Sequence, residues 1–236
     1  MIRNDRPFSS AILKARKGCE VPLIADIKPF SPRDGDLVRN RTPSDLARSL
    51  AAAGACALSV VTEEKHFGGS LRTLKEVAQA VSLPVLRKDF LSSLEQLEQS
   101  REAGASAVLM IMATIPEHLV SLLYQHTYEL GMEAVVEIHN RSELERALVL
   151  SPTIIGINNR DILELEKDSG DVRVTEELAP LVPNGIVTIS ESSLRTPDDI
   201  CRAIDAGADA VLVGTALLQS DDPASCLSYL ISRIDK

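Results

Sequence analysis

Short apolar runs that end abruptly in charge recur along the chain. Pro22–Lys28 is apolar up to an aspartate and a lysine, and Pro84–Phe90 sets an apolar pair before arginine, lysine and aspartate. A strand without a polar face is buried on both sides, as in a parallel sheet covered by helices. Each run therefore predicts a buried strand, and the charged residue marks the point where that strand reaches the surface.

A second pattern joins these runs to the helices that precede them. Ala53-Gly54-Ala55, Ala103-Gly104-Ala105 and Ala206-Gly207-Ala208 each stand between a helical segment and the next apolar run. A glycine at a helix carboxyl end supplies the left-handed turn, and small neighbours let the next strand lie close to the helix. Because the joint is repeated, the pattern indicates repeated strand-helix units.

The units add up to eight strands, each followed by a helix. The strands are predicted at 22–28, 57–61, 107–111, 133–138, 153–157, 186–189 and 210–213, with one more beginning at 85. The helices are predicted at 8–13, 42–53, 70–81, 93–103, 116–130, 142–150, 175–181, 196–206 and 223–234.

This count predicts an α/β fold, a (β/α)8 TIM barrel, because 236 residues is close to the length such barrels have. We expect one domain over residues 1–236, with a short N-terminal helical extension over 1–20. A doubly wound open sheet is the alternative, but the glycine-rich dinucleotide turn is missing after the first strand.

Composition restricts the classes of function. A net charge of -9 disfavours binding to nucleic acid or to an anionic membrane. The sequence lacks the long apolar run of a signal peptide or membrane span, so a cytoplasmic protein is predicted. The cysteines and histidines show neither disulfide nor metal-ligand spacing, so no metal site is expected; they are Cys19, Cys56, Cys201, Cys226, His66, His118, His126 and His139.

Polar residues gather where the predicted strands end. In chain order they are Asp26 and Lys28, Thr62 and Glu63, Lys88, Glu137, Asn158 and Arg160, Glu191 and Ser192, and Gly214 and Thr215. Barrel enzymes keep their active sites at the carboxyl ends of the strands. Ionisable groups next to apolar strands are costly unless paired, so their convergence indicates function, and a solvated rim is the alternative.

The loops after the last two strands predict an anion site. Ser190–Ser193 and Gly214-Thr215 follow the seventh and eighth strands, where this fold forms its usual phosphate site. Gly214 lets the backbone approach an anion, and the Ser192 and Thr215 hydroxyls can donate to it. Together with Lys28 on an acidic protein, this predicts a small phosphorylated substrate.

Seven segments, in order, resemble the indole-3-glycerol phosphate synthase family. They are Ile24–Pro32, Leu58–Glu63, His66–Ser70, Pro84–Phe90, Val136–Ile138, Gly156–Arg160 and Ser190–Ser192. The resemblance runs from about Phe8 to the last helix. It implies a cofactor-free lyase of tryptophan biosynthesis that converts 1-(2-carboxyphenylamino)-1-deoxyribulose 5-phosphate to indole-3-glycerol phosphate with loss of carbon dioxide and water.

The resemblance also implies roles for individual residues. Lys88 matches the general acid at the ribulose carbonyl, and Glu137 matches the second proton-transfer group. Lys28 matches a lysine that contacts substrate anions, Asn158 an amide that orients the reacting part, and Glu191 a further carboxylate.

On the substrate side, the resemblance implies positions for the phosphate and for the anthranilate ring. Ser31, Ser192, Ser193, Gly214 and Thr215 match the phosphate side, and Phe67 and Phe90 match the apolar walls. Arg160 matches an arginine that we interpret as positioning the carboxylates, with a salt bridge at the rim as the alternative.

The chain departs from the family in three places. Asp26 stands where the family has glutamate, which leaves its catalytic share open, and Ser193 stands where the family has glycine. The N-terminal extension is also short, so we expect a reduced helix over the barrel mouth.

Two alternatives to the lyase are phosphoribosylanthranilate isomerase, which uses an aspartate and a cysteine, and a phosphate-binding barrel without activity. Asp26 suggests the first, but no cysteine ends the first strand and Lys88 with Glu137 would be unexplained. We expect a monomer or weak homo-oligomer, in possible contact with neighbouring tryptophan-pathway enzymes.

Overall fold

Eight parallel strands form a closed barrel in the computed structural model, which describes residues 7–18, 21–161 and 170–232. In chain order they are β1 (Leu23–Ile27), β2 (Ala57–Val61), β3 (Val85–Lys88), β4 (Ala107–Ile111), β5 (Glu133–Ile138), β6 (Ile154–Asn158), β7 (Val187–Glu191) and β8 (Ala210–Val213). Each strand pairs with the next, and β8 returns to β1 with Val211 opposite Leu23. The predicted (β/α)8 barrel is confirmed; that all of 1–236 is one domain stays a prediction.

Ten helices accompany the strands. They are α1 (Pro7–Lys17), α2 (Pro43–Ala52), α3 (Leu71–Ala80), α4 (Leu94–Glu102), α5 (Glu117–Glu129), α6 (Arg141–Leu148), α7 (Arg173–Leu178), α8 (Pro197–Asp205), α9 (Thr215–Gln219) and α10 (Pro223–Ile231). Side chains of Thr42, Ser70 and Thr196 accept hydrogen bonds from the first turns of α2, α3 and α8. None of the helices in the described ranges has the length and apolarity needed to cross a membrane.

Two helical predictions need correction. The helix predicted at 175–181 ends at Leu178, and a 3-10 turn covers Ala179–Leu181. Pro180 is the reason, because proline has no N–H for the helical hydrogen bond and its ring crowds the preceding turn. The short helix α9, directly after β8, was not predicted, since five residues carry too little periodicity to be recognised.

The strand period of two divides each strand into an inner and an outer face. Apolar inward side chains, among them Ile24, Leu86, Val135 and Ile189, form one cluster inside the barrel, and the outward set packs under the helices. Following the inward rows upward, the side chain after the last apolar layer is Asp26, Lys88, Glu137 or Glu191. The alternation thus sends four ionisable groups into the barrel mouth.

The helix α1 closes the opposite end of the barrel. Phe8 and Ile12 are fully buried in the interior cluster. The carboxylate of Glu133, at the start of β5, accepts hydrogen bonds from the backbone N–H groups of Phe8 (2.8 Å) and Ser9 (3.1 Å). Arg16 forms an ion pair with Asp209, just before β8. The described part of the N-terminal extension therefore covers the amino-terminal end of the barrel and not, as expected, its mouth.

Candidate active site

Lys88 lies between two buried carboxylates at the carboxyl ends of alternate strands. Its Nζ is 3.6 Å from Oε2 of Glu137 on β5 and 3.6 Å from Oε2 of Glu191 on β7. The lysine side chain is 10% exposed and both glutamate side chains are 0% exposed. Burial of charge at this depth is costly unless the charges compensate one another. The arrangement places one cation against two potential anions.

The neighbouring residues hold the end of β3 in place. Arg87 points outward, where its guanidinium donates to Thr62 Oγ1 (2.9 Å), to Ser100 Oγ (2.9 Å) and to Asp89 Oδ2 (2.8 Å). The Thr62 hydroxyl in turn donates to Asp89 at 2.6 Å. Because consecutive side chains point to opposite faces, anchoring Arg87 outside the barrel directs Lys88 into it.

The pKa values of the two carboxyl groups move apart. Burial alone raises the pKa of Glu137, but the charges of Lys88 and His139 outweigh it and lower that pKa to about 2. For Glu191, burial raises the pKa to about 8, opposed by Lys88 and reinforced by Glu137 and Asp26. One lysine cannot neutralise two adjacent carboxylates equally, so at neutral pH Glu137 is ionised and Glu191 protonated.

Two glycines leave room for the acidic side chains. A β-carbon on Gly156 in β6 would overlap Oε1 of Glu191. A β-carbon on Gly214 would stand 2.9 Å from Oδ2 of Asp26, closer than side-chain packing allows. Gly214 therefore accommodates the Asp26 carboxylate, in addition to the anion contact that its position after β8 predicts.

An apolar pocket of about 320 Å³ opens on one side of Lys88. Its lining is Lys28, Val61, Glu63, Phe67, Lys88, Asp89, Phe90, Leu109 and Ile111. The Nζ atom of Lys28 lies 5.8 Å from the centre of the Phe67 ring, within range of a cation–π contact. The structure thus places Phe67 and Phe90, predicted as walls for an aromatic ring, in one pocket with both lysines.

A polar pocket of about 430 Å³ opens on the other side and shares Lys28 and Lys88 with the apolar one. It is lined by Asp26, Arg160, Ser192, Ser193, Gly214 and Thr215, all predicted, and also by Leu194, Arg195, Leu212, Val213 and Ala216. Several hydroxyls, two arginines and the exposed backbone of two loops give this pocket the composition of an anion site.

The serine pair in this pocket has an unusual backbone. Ser192 and Ser193 have φ values of 67° and 60°, in the left-handed region that favours glycine. The family glycine expected at 193 is thus a glycine that the conformation itself requires, and the serine is accepted at a cost. In return, the Ser193 Oγ accepts a hydrogen bond from Arg160 Nε at 3.2 Å.

Asn158 stands beside the carboxylates at the end of β6. Its Oδ1 accepts a hydrogen bond from the backbone N–H of Arg160 at 3.1 Å, which fixes the amide. Among the described residues, its Nδ2 and all four oxygens of Glu137 and Glu191 are buried without a hydrogen-bond partner. Buried polar atoms in that state are costly, so their concentration here indicates a site that receives a polar molecule.

Ser31 is placed differently from its prediction. It lies in a short antiparallel ribbon in which Phe30–Ser31 pairs with Gly35–Asp36. Its hydroxyl accepts hydrogen bonds from the backbone N–H groups of Arg33 (3.3 Å) and Asp34 (3.2 Å). Ser31 lines neither pocket, because its side chain is engaged in closing this turn.

Sequence reasoning missed two residues at the site. His139 was set aside for lack of metal-ligand spacing, yet its Nε2 lies 3.3 Å from Oε1 of Glu137 and its Nδ1 lies 2.9 Å from Oε2 of Glu143. The available signal was the spacing, since His139 follows Glu137 by two positions and precedes Glu143 by four. Arg195 was missed because it belongs to no strand end.

The described part of the chain also bears on cysteines and metals. Cys56 is buried at the amino-terminal end of β2, and Cys201 and Cys226 lie on α8 and α10, so no described cysteine reaches the mouth as the isomerase alternative requires. No cluster of three or more His, Cys, Asp or Glu side chains in 7–18, 21–161 and 170–232 is arranged to hold a metal ion.

Comparison with known sequences gives a consistent result. The family model of indole-3-glycerol phosphate synthase matches residues 1–230. Proteins of that name from Pyrococcus furiosus and Thermococcus kodakarensis are each 44% identical over 224 residues, covering 95% of this chain and 96% of theirs. One from Dehalococcoides mccartyi is 45% identical over 219 residues, covering 91% of this chain and 83% of its own.

Comparison with solved structures supports the barrel alone, because the identities are low. A chain of a cube-shaped, highly porous designed protein cage has a TM-score of 0.65 at 15% identity, covering 89% of this chain and 70% of that one. A structure described as native KDPGal has a TM-score of 0.62 at 15% identity, covering 88% of this chain and 89% of that one.

Proposed function

This chain belongs to the indole-3-glycerol phosphate synthase family, and from that premise we propose how its residues carry out the reaction. Its activity is that of a carboxy-lyase in tryptophan biosynthesis. The substrate, 1-(2-carboxyphenylamino)-1-deoxyribulose 5-phosphate, closes a pyrrole ring with loss of carbon dioxide and water to give indole-3-glycerol phosphate.

One observation carries the assignment of roles: Lys88 and Lys28 line both pockets, one apolar and one polar. The substrate has the same division, with an aromatic ring at one end and a phosphate at the other. Placing the ring against Phe67 and Phe90 and the phosphate against the Ser192 side sets the reacting carbons between them, next to Lys88. Positioning of this kind supplies much of the barrier reduction in a ring closure.

The first step joins the ring carbon that bears the carboxylate to the ribulose carbonyl carbon. As that bond forms, the carbonyl oxygen becomes an oxyanion and takes a proton from the Lys88 ammonium. The carboxylate then leaves as carbon dioxide, and the electron pair it releases restores the aromatic ring. Lys28, beside Phe67, holds the carboxylate against the ring wall until it departs.

The second step removes water. Glu137, ionised because its pKa is lowered to about 2, accepts the proton that the intermediate loses. Glu191, whose pKa is raised to about 8, is protonated at neutral pH and donates to the leaving hydroxyl. Two carboxyl groups with separated pKa values are the usual way in which one site provides both an acid and a base. Asn158 keeps the intermediate between them.

The polar pocket binds the phosphate. Ser192, Ser193, Gly214 and Thr215 offer hydroxyl and backbone donors, and Arg160 and Arg195 supply positive charge on an acidic protein. Asp26 faces the same pocket against Gly214 and adds negative charge near Glu191, which supports the protonated state of that residue.

Turnover of the carboxyphenylamino substrate, followed by the fluorescence of the indole product, tests the proposal. We expect product formation by purified protein without any added cofactor or metal. Folded protein that forms no product would overturn the lyase, and conversion of the preceding anthranilate ribosyl phosphate would favour the isomerase. Binding of inorganic phosphate without turnover would indicate the barrel without activity.

The assembly and location remain proposals. We propose a monomer or weak homo-oligomer in the cytoplasm, in contact with enzymes of neighbouring steps, because substrate and product are small phosphorylated molecules passed between enzymes. Sedimentation of the purified protein over a range of concentrations tests the first part.

A further inference from the structure

The two carboxylates beside Lys88 start from nearly equal positions. Both lie 3.6 Å from the same Nζ atom and both are completely buried. Lys88 therefore cannot by itself decide which of the two is ionised. Whatever decides must contact one carboxylate and not the other.

His139 meets that condition. Its Nε2 lies 3.3 Å from the outer oxygen, Oε1, of Glu137, while Lys88 approaches Oε2. Among the described ion pairs, none joins His139 to Glu191. Asp26, by contrast, is the acidic neighbour that acts on Glu191. The surroundings thus add a cation to one carboxylate and an anion to the other.

His139 is itself held as a cation. Oε2 of Glu143, one turn into α6, lies 2.9 Å from Nδ1 and also accepts the backbone N–H of His139 at 2.9 Å. Asn140 donates to the other oxygen of Glu143 at 2.8 Å. The ring is therefore fixed on both sides, and the row Glu143–His139–Glu137 is built from two neighbouring elements.

The charges around the ring agree with this state. Burial lowers the pKa of His139, but contacts with Glu137 and Glu143 outweigh it and raise that pKa to about 9. The other charged residues lining the cavity beside the ring are Arg160 and Asp161, which carry opposite charges. The balance at the ring is set by the two glutamates.

We propose that His139 is a positioning residue for the reaction: its imidazolium, held by Glu143, keeps Glu137 ionised and so makes Glu137, rather than Glu191, the proton acceptor beside Lys88. The inference rests on the proposed function. His139 lines neither substrate pocket, so it acts through Glu137 and not on the substrate.

The decisive comparison is His139→Asn against His126→Asn. His126 also lies between two glutamates, at 3.7 Å from Glu98 and 3.2 Å from Glu129, but on α5 away from the mouth. Without the imidazolium, the buried Glu137 carboxyl retains its proton at mildly acidic pH. We expect the ratio of kcat at pH 8 to kcat at pH 6 to rise at least tenfold in His139→Asn and to match the unmodified enzyme in His126→Asn. An equal loss at both pH values would overturn the proposal.

A second test reads the ring directly. In protein with isotope-labelled histidine, we expect the His139 resonance to titrate near pH 9, and to titrate at least one pH unit lower in Glu143→Gln, which keeps the imidazole in place. A midpoint near 6.5, the ordinary histidine value, would overturn the proposal even if His139→Asn did not fold. This titration needs no turnover, so it separates failure of the inference from failure of the proposed function.

Discussion

Nζ of Lys88 lies 3.6 Å from Oε2 of Glu137, although the two residues belong to strands that are not adjacent in the barrel. The contact exists because both are inward-facing residues at strand carboxyl ends. A general acid and a general base held in contact set each other's protonation state before the substrate arrives. The pair is therefore the first place to test.

Lys88→Ala should lower kcat at least about a hundredfold, the usual scale for a lost general acid. The measurement is indole fluorescence under saturating substrate. Lys75→Ala, at an exposed lysine on α3, is the matched control and should leave kcat within about twofold. A loss for Lys88→Ala as small as that of the control would move the acid role to Lys28, the other lysine that lines both pockets.

The two carboxylates should respond differently to amidation at neutral pH. Glutamine copies the shape of a protonated glutamate, which is the form expected for Glu191 but not for Glu137. We expect Glu137→Gln to lower kcat at pH 7 about a hundredfold, and Glu191→Gln to cost at least about tenfold less. The reverse order in steady-state kinetics would contradict the assigned protonation states.

Glu191 should also make stability depend on pH. Its pKa is about 8 in the folded protein and near 4.5 when unfolded, so between these values the folded state binds more protons. The free energy of unfolding therefore falls as pH rises through that window. Glu191→Gln should remove this loss, gaining up to a few kcal/mol over the native sequence between pH 5 and 8.5, as measured by urea unfolding. A stability difference that stays constant with pH would argue against the raised pKa.

Much of this arrangement follows from sequence patterns. The alternation along Leu86–Lys88 and Val135–Glu137 predicts that charged residues end apolar inward rows, and the barrel then brings them to one mouth. The spacing could not show that Gly156 and Gly214 exist to make room, because that depends on distances between strands. Nor could it show His139 acting on Glu137, because the contact requires the turn into α6 that bends His139 back. Ser31 was misplaced for the converse reason: a two-residue ribbon gives no periodic signal.

The room left by Gly156 predicts a specific coupling. Gly156→Ala should destabilise the protein by about 1–3 kcal/mol and displace Glu191, since the new methyl group overlaps its carboxylate. In a Glu191→Ala background the overlap is absent, so the same change should cost less than half as much. The double-mutant cycle is measured by urea unfolding. Equal costs in the two backgrounds would show that the glycine is needed for another reason.

The left-handed Ser193 predicts a difference between two small substitutions. Ser193→Gly and Ser193→Ala both lose the hydroxyl that accepts from Arg160, but only glycine relieves the φ of 60°. We expect the glycine variant to be more stable than the alanine variant by about 1 kcal/mol. Thermal or urea unfolding of the pair measures this directly, and an alanine variant as stable as the glycine variant would mean that the backbone there is not strained.

The strand β5 has a carboxylate at each end, and the two have separate duties. Glu133 fastens α1 beneath the barrel, while Glu137 works at the opening, with the apolar layer around Val135 between them. Sequence change in α1 can therefore adjust how firmly the lower end is closed without reaching the catalytic groups. Adaptation to temperature and adaptation of turnover can proceed in different parts of the chain.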